Sequence, residues 1–102
     1  MIRHVVLFKL RPNLPPSTVD DIFAALKALQ AQMPGIIAIT TGQDASPEGM
    51  QRGNTHGFTV DFENAAARDA YLPHAAHKKV GAMIVAASEG GVDGITVVDW
   101  QA

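Results

Sequence analysis

With 102 residues, 47% of them hydrophobic and 18% charged, the chain has the size and balance of a single globular domain spanning residues 1–102. A formal charge of -2, with no basic cluster beyond Lys78-Lys79, gives nucleic acid or an anionic membrane no electrostatic footprint. The lack of cysteine excludes disulfides, a thiolate nucleophile and cysteine-type zinc sites, and it fits a reducing compartment.

The N-terminal apolar segment is broken by His4 and Lys9, unlike a signal peptide, and no window approaches the roughly 20 apolar residues that cross a bilayer. A soluble cytoplasmic protein is therefore expected. Ile2 to Leu10 is short and rich in β-branched and aromatic residues, which predicts a strand. Its alternation places Ile2, His4, Val6, Phe8 and Leu10 on one face and Arg3, Val5, Leu7 and Lys9 on the other. Apolar residues on both faces suggest that the second face is also covered, by another subunit.

Three prolines between Arg11 and Pro16 mark a loop, after which Ser17 reads as an N-cap with Asp20 as its capping-box partner. Val19, Ile22, Phe23, Leu26, Leu29 and Met33 then recur at three and four residue spacing, the stripe of an amphipathic helix that Pro34-Gly35 stops. Ile36 to Thr41 predicts a second strand, and the polar stretch Gln43 to Asn54 a long loop. Thr55 to Phe62 alternates as a third strand, with His56, Phe58, Val60 and Phe62 on its apolar face. Asn64 caps a predicted short helix, Ala65 to Leu72, which Pro73 interrupts because it lacks an N–H and clashes with the preceding turn. A second helical stretch, Ala75 to Ser88, carries His77, Val80, Ile84 and Ala87 on one stripe. Gly94 to Trp100 closes the chain as a fourth strand. The order β-α-β-β-α-β is that of an α+β, ferredoxin-like fold with a four-stranded antiparallel sheet and helices on one face.

This arrangement points three imidazoles, His4, His56 and His77, into one apolar layer, with Tyr71 close in sequence to the last. A single core histidine is ordinarily satisfied by a backbone carbonyl. Three of them with a phenol need more partners than a small core supplies, at roughly 1–3 kcal/mol for each unpaired group, and a solvated cavity relieves that cost. In such a cavity a histidine beside a phenol makes a general base and a hydrogen-bond donor, suited to proton abstraction next to a carbonyl. His77 and Tyr71 are the catalytic candidates, and His4, His56, Val6, Phe8, Phe23, Leu26 and Phe58 are the expected binding residues. Asp69 is expected to face solvent. His74-x-x-His77 has a spacing that could chelate a metal, but no carboxylate appears on the same predicted face and His74 sits at the helix break; no metal or cofactor is assigned. Phosphate-loop, dinucleotide and serine-triad patterns are absent.

Ile2-Arg-His-Val-Val-Leu-Phe-Lys-Leu, Met33-Pro-Gly-Ile, Gly53-Asn-Thr-His-Gly-Phe and Arg68-Asp-Ala-Tyr-Leu-Pro-His-Ala-Ala-His together resemble the stress-responsive α/β-barrel (Dabb) family over nearly the whole chain. The resemblance implies a homodimer, a dimeric α+β barrel in which two ferredoxin-like sheets pack face to face, covering Val5 and Leu7. It also implies a relation to the cofactor-free plant polyketide cyclases of the olivetolic acid cyclase type, a lyase or cyclase activity. Their base-and-phenol pair falls on His77 and Tyr71, and their other pocket histidines on His4 and His56. The chain departs from them in offering Phe23 and Leu26 where helix 1 supplies a second tyrosine, and Ala75 where a proline commonly separates the two histidines. Three functions are thus in play: a small apolar pocket for a carbonyl-containing or aromatic molecule with proton-transfer or aldol-type chemistry, a non-enzymatic stress-responsive or ligand-binding dimer module, and a cofactor-free monooxygenase built on the same dimeric barrel.

Overall fold

All 102 residues, Met1 to Ala102, are described by a computed structural model. β1 (Ile2–Phe8) lies inside a four-stranded antiparallel sheet between β3 (His56–Phe62) and β4 (Ile95–Gln101), with β2 (Ile36–Gln43) on the outer side of β3. Three helices cover one face of this sheet: α1 (Ser17–Gln32), α2 (Ala65–Tyr71) and α3 (Ala75–Ala87). The chain therefore has the α+β, ferredoxin-like β-α-β-β-α-β architecture that its element order implies.

The registers follow from the alternation. Ile2, His4, Val6 and Phe8 stand opposite Phe62, Val60, Phe58 and His56, so all of these side chains point to the helices. From α1 the stripe Ile22, Leu26 and Leu29 is almost wholly buried against them, and Val80, Ile84 and Ala87 of α3 complete the layer. Each of the larger aliphatic side chains contributes about 1.5–3 kcal/mol by its removal from water.

The ends of several elements differ from the sequence reading. β1 stops at Phe8, because Leu10 pairs only through an isolated bridge to Ser88. Ser17 is not the N-cap of α1: Pro16 holds that place with no side-chain cap, and Thr18 N–H turns back to the Pro15 carbonyl. The Pro15-Pro16 pair sets the entry turn by its fixed φ, leaving Ser17 inside the helix and no capping box with Asp20. β2 runs two residues past Thr41, since Gly42 and Gln43 still pair with Gly57 and His56. Asn64 does cap α2, its side chain accepting the Ala67 N–H at 2.9 Å. A short 3₁₀ segment, Gly91–Gly94, takes Gly94 out of the fourth strand, which begins at Ile95 and runs to Gln101.

Gly35 has two reasons to be glycine. Its φ is +94°, and a Cβ there would sit 2.7 Å from the Ala67 Cβ, so the turn into β2 passes directly beneath α2.

Candidate active site

Pro73 builds the site by ending α2. At the start of α3 the Ala76 N–H is taken by the His74 ring, whose Nδ1 accepts it at 3.0 Å as an N-cap. In an unbroken helix that N–H would bind the Leu72 carbonyl. The carbonyl is instead left free, and His77 donates its Nδ1–H to it at 2.9 Å. A carbonyl only accepts, so the neutral His77 ring keeps its lone pair on Nε2. The helix break thus fixes the tautomer of a potential base.

His77 and His4 face each other across a cavity of about 250 Å³. Val6 and Phe58 form part of the sheet wall, with Ile95 and Val97 from β4, while Ile84 and Gly81 of α3 close the helix side. Gly81 makes room: a Cβ added there meets nothing within 4 Å. At this size the cavity suits a ligand smaller than the drug-sized molecules that fill pockets of roughly 300–1,000 Å³.

Tyr71 stands behind the two histidines rather than on the cavity wall. It is 1% exposed, its ring 4.2 Å from that of His77 and 6.0 Å from that of His4, centre to centre. Its hydroxyl is buried and makes no hydrogen bond. Burial also keeps the phenol protonated, by raising its pKa far above the ordinary tyrosine value. The site therefore holds a neutral donor with nothing to donate to. His77 is shifted the other way: burial lowers its pKa, the Leu72 bond partly opposes this, and the nearby His4 lowers it further. At neutral pH it is an uncharged acceptor.

Asp99 and Arg68 belong to the same cluster although neither was among the sequence candidates. Asp99 stands directly opposite His4 in the β1–β4 register, and its Oδ1 lies 2.7 Å from His4 Nδ1. Its other oxygen accepts from Arg68 Nη1 at 3.2 Å, while Arg68 Nε reaches Asp69 at 3.0 Å. The signal was present in the alternation of β4, which puts Ile95, Val97 and Asp99 on the helix-facing side. It needed the strand order to reveal which neighbour the carboxylate would meet.

Other expected binding residues are not brought to this cavity. His56 shares the sheet face with His4 but stands opposite Phe8, four residues along β1, about 13 Å away at ordinary strand rise. There it bonds Thr55 Oγ1 at 2.8 Å and sits beside Phe8 and Phe23, and burial lowers its pKa. Phe8 and Leu26 are filled core, at 0% and 1% exposure. Sharing a sheet face does not bring His56 to His4, because four residues of strand separate them. Asp69 is exposed, as expected, and no group of three or more His, Asp or Glu is arranged to hold a metal.

The opposite sheet face is bare. Leu7, Val98 and Trp100 remain 40%, 52% and 48% exposed there, beside a bidentate Arg3–Asp61 pair and the bonded hydroxyls of Thr40 and Thr59. No helix is long and apolar enough to cross a membrane.

Comparison with known proteins gives a consistent picture. The family description "Stress responsive A/B Barrel Domain" matches residues 2–102. The stress-response A/B barrel domain-containing protein At5g22580 of Arabidopsis thaliana is 28% identical over 99 residues, covering 96% of this chain and 83% of that protein. A dimeric ferredoxin-like protein of unknown function from Jannaschia sp. CCS1 superimposes with a TM-score of 0.87 at 30% identity, covering 99% of this chain and 98% of that one. The hydroxynitrile lyase of Passiflora edulis shares the fold, with a TM-score of 0.85 at 23% identity over 97% of this chain and 90% of its own.

Proposed function

Because this chain belongs to the stress-responsive A/B barrel family, we propose that it is a homodimer whose subunits each take up a small carbonyl-containing or aromatic molecule between His4 and His77, and that it transfers protons next to the carbonyl. The observation that carries this reading is the pairing of an uncharged acceptor with an orphan donor. His77 keeps its Nε2 lone pair at an apolar cavity, and the buried Tyr71 hydroxyl beside it has no partner. A carbonyl oxygen that entered between the His4 and His77 rings, which stand between Tyr71 and the cavity, would supply that partner. His77 Nε2 takes the proton from the adjacent carbon, the C–H electron pair moves into the enolate, and Tyr71 donates to the enolate oxygen. The proton returns to the same carbon, or, where the enolate carbon has added to a second carbonyl, passes from the His77 imidazolium to the alkoxide that the addition leaves.

The homodimer is supported by the outer sheet face. Leu7, Val98 and Trp100 form an apolar surface on the sheet face that no helix covers, and two such faces can stack about 10 Å apart as sheets do. The Jannaschia protein is described as dimeric. Binding without turnover is the second reading. It is favoured by one observation, that His77 is satisfied by a backbone carbonyl as a purely structural histidine would be.

Loss of methyl protons from acetophenone in D2O, followed by NMR, separates the two. The wild-type protein is expected to accelerate exchange over buffer and His77→Gln to abolish the acceleration; equal rates for the two proteins refute the assignment of the base.

A further inference from the structure

The carboxylate behind His4 has a consequence for the chemistry of the cavity. His4 is 5% exposed, so its Nδ1 has little access to water, and its one polar partner is Asp99 at 2.7 Å. An ionised carboxylate only accepts, hence the Nδ1 of His4 carries the proton. Arg68 only donates, and through Nη1 it occupies the second Asp99 oxygen, so the carboxylate is held from both sides. We propose that Asp99, itself oriented by Arg68, is a positioning residue that locks His4 with its Nε2 lone pair toward the cavity, making His4 a second proton acceptor opposite His77.

The inference deepens the functional reading above and rests on it for its ligand, though not for the tautomer. The cavity then offers two acceptors, His4 Nε2 and His77 Nε2, and behind them, reached only between the two rings, one donor, the Tyr71 hydroxyl. A simple ketone satisfies the donor and presents its C–H to one acceptor, leaving the other idle. A hydroxy-carbonyl compound uses all three groups. Its carbonyl oxygen meets Tyr71, its acidic carbon faces His77, and its hydroxyl donates to His4. That class is assigned as the preferred ligand.

The tautomer can be read directly. In Asp99→Asn, Arg68 still demands an oxygen, so the amide carbonyl turns toward Arg68 and its NH2 toward His4. The amide then donates to Nδ1, and the His4 proton moves to Nε2. Long-range 15N–1H NMR correlations of the imidazole should show this inversion at His4 and no change at His77. Adding Arg68→Ala to Asp99→Asn frees the amide to rotate and should restore a mixture of tautomers. A His4 ring that stays protonated on Nδ1 in Asp99→Asn overturns the positioning role. For the ligand, wild type should bind 2-hydroxyacetophenone about three- to tenfold more tightly than acetophenone, the effect of one added hydrogen bond, and Asp99→Asn should narrow that ratio. An unchanged ratio with an inverted tautomer overturns the hydroxyl assignment. If neither ketone binds wild type while the tautomer still inverts, the positioning role is upheld and the carbonyl-ligand reading fails.

Discussion

Replacing Tyr71 by Phe should stabilise this protein while disabling it. The ring of Tyr71 is buried to 1% exposure and packs edge-on against Phe62 at 5.0 Å, contacts that phenylalanine retains. What the substitution removes is a buried hydroxyl with no partner. Desolvating such a group costs about 1–3 kcal/mol, and nothing in the folded chain returns that cost. The expected gain is therefore at least about 1 kcal/mol. For a chain of this length that corresponds to roughly 4–8 °C in Tm. Urea unfolding at fixed protein concentration is the assay, because a dimer's apparent stability depends on concentration, and the midpoint should rise with the slope unchanged. Exchange of acetophenone should fall by about 10²–10³-fold, the usual effect of losing one oxyanion donor. Gained stability with lost activity is what a donor reserved for ligand predicts. A Tyr71→Phe protein less stable than wild type by about 1 kcal/mol or more would falsify the orphan-donor argument.

The remaining expectations concern the cavity, the dimer and acid. Gly81→Ala should stabilise α3, by up to about 1 kcal/mol of helix propensity, and weaken acetophenone binding because the added methyl occupies cavity space; a weaker fold with unchanged binding refutes it. Val98→Glu puts a charge on the bare sheet face and should convert a dimer at micromolar concentration to monomer in sedimentation equilibrium. A wild-type monomer under those conditions contradicts the barrel. Burial lowers the pKa of both His56 and His77, so the unfolded chain takes up protons first as the pH drops below about 6.5. Stability should be full above that pH and decline from there toward the lower folded values. His56→Gln and His77→Gln should each flatten the decline in pH-dependent urea titrations, whereas a slope unaltered by both is incompatible with buried neutral rings.

The fold could be read from periodicity because each element has a clean pattern. The 3.6-residue stripe Ile22, Leu26, Leu29 and the two-residue alternation of β1 and β3 leave few other packings. The break at Pro73 and the cap at Asn64 followed from single-residue chemistry. The site was harder, since alternation tells which face a side chain takes but not how far along the sheet it lies. His4 and His56 looked like one wall for that reason, although strand register separates them. Asp99 escaped for a related one: it reads as a polar end to a strand until β4 is known to pair with β1, which brings it onto His4. Tyr71 lies with its ring 4.2 Å from that of His77, but its withdrawal behind the cavity wall depends on packing between α2 and the sheet.

The central claim is that the space between His4 and His77 is a ligand site and His56 is not part of it. Titration of 15N-labelled protein with acetophenone, following the imidazole signals of all three histidines, tests this most directly. The His4 and His77 signals should shift together along one saturating curve while His56 stays fixed. Shifts at His56 alone, or no saturable shift at His4 and His77, would contradict the account.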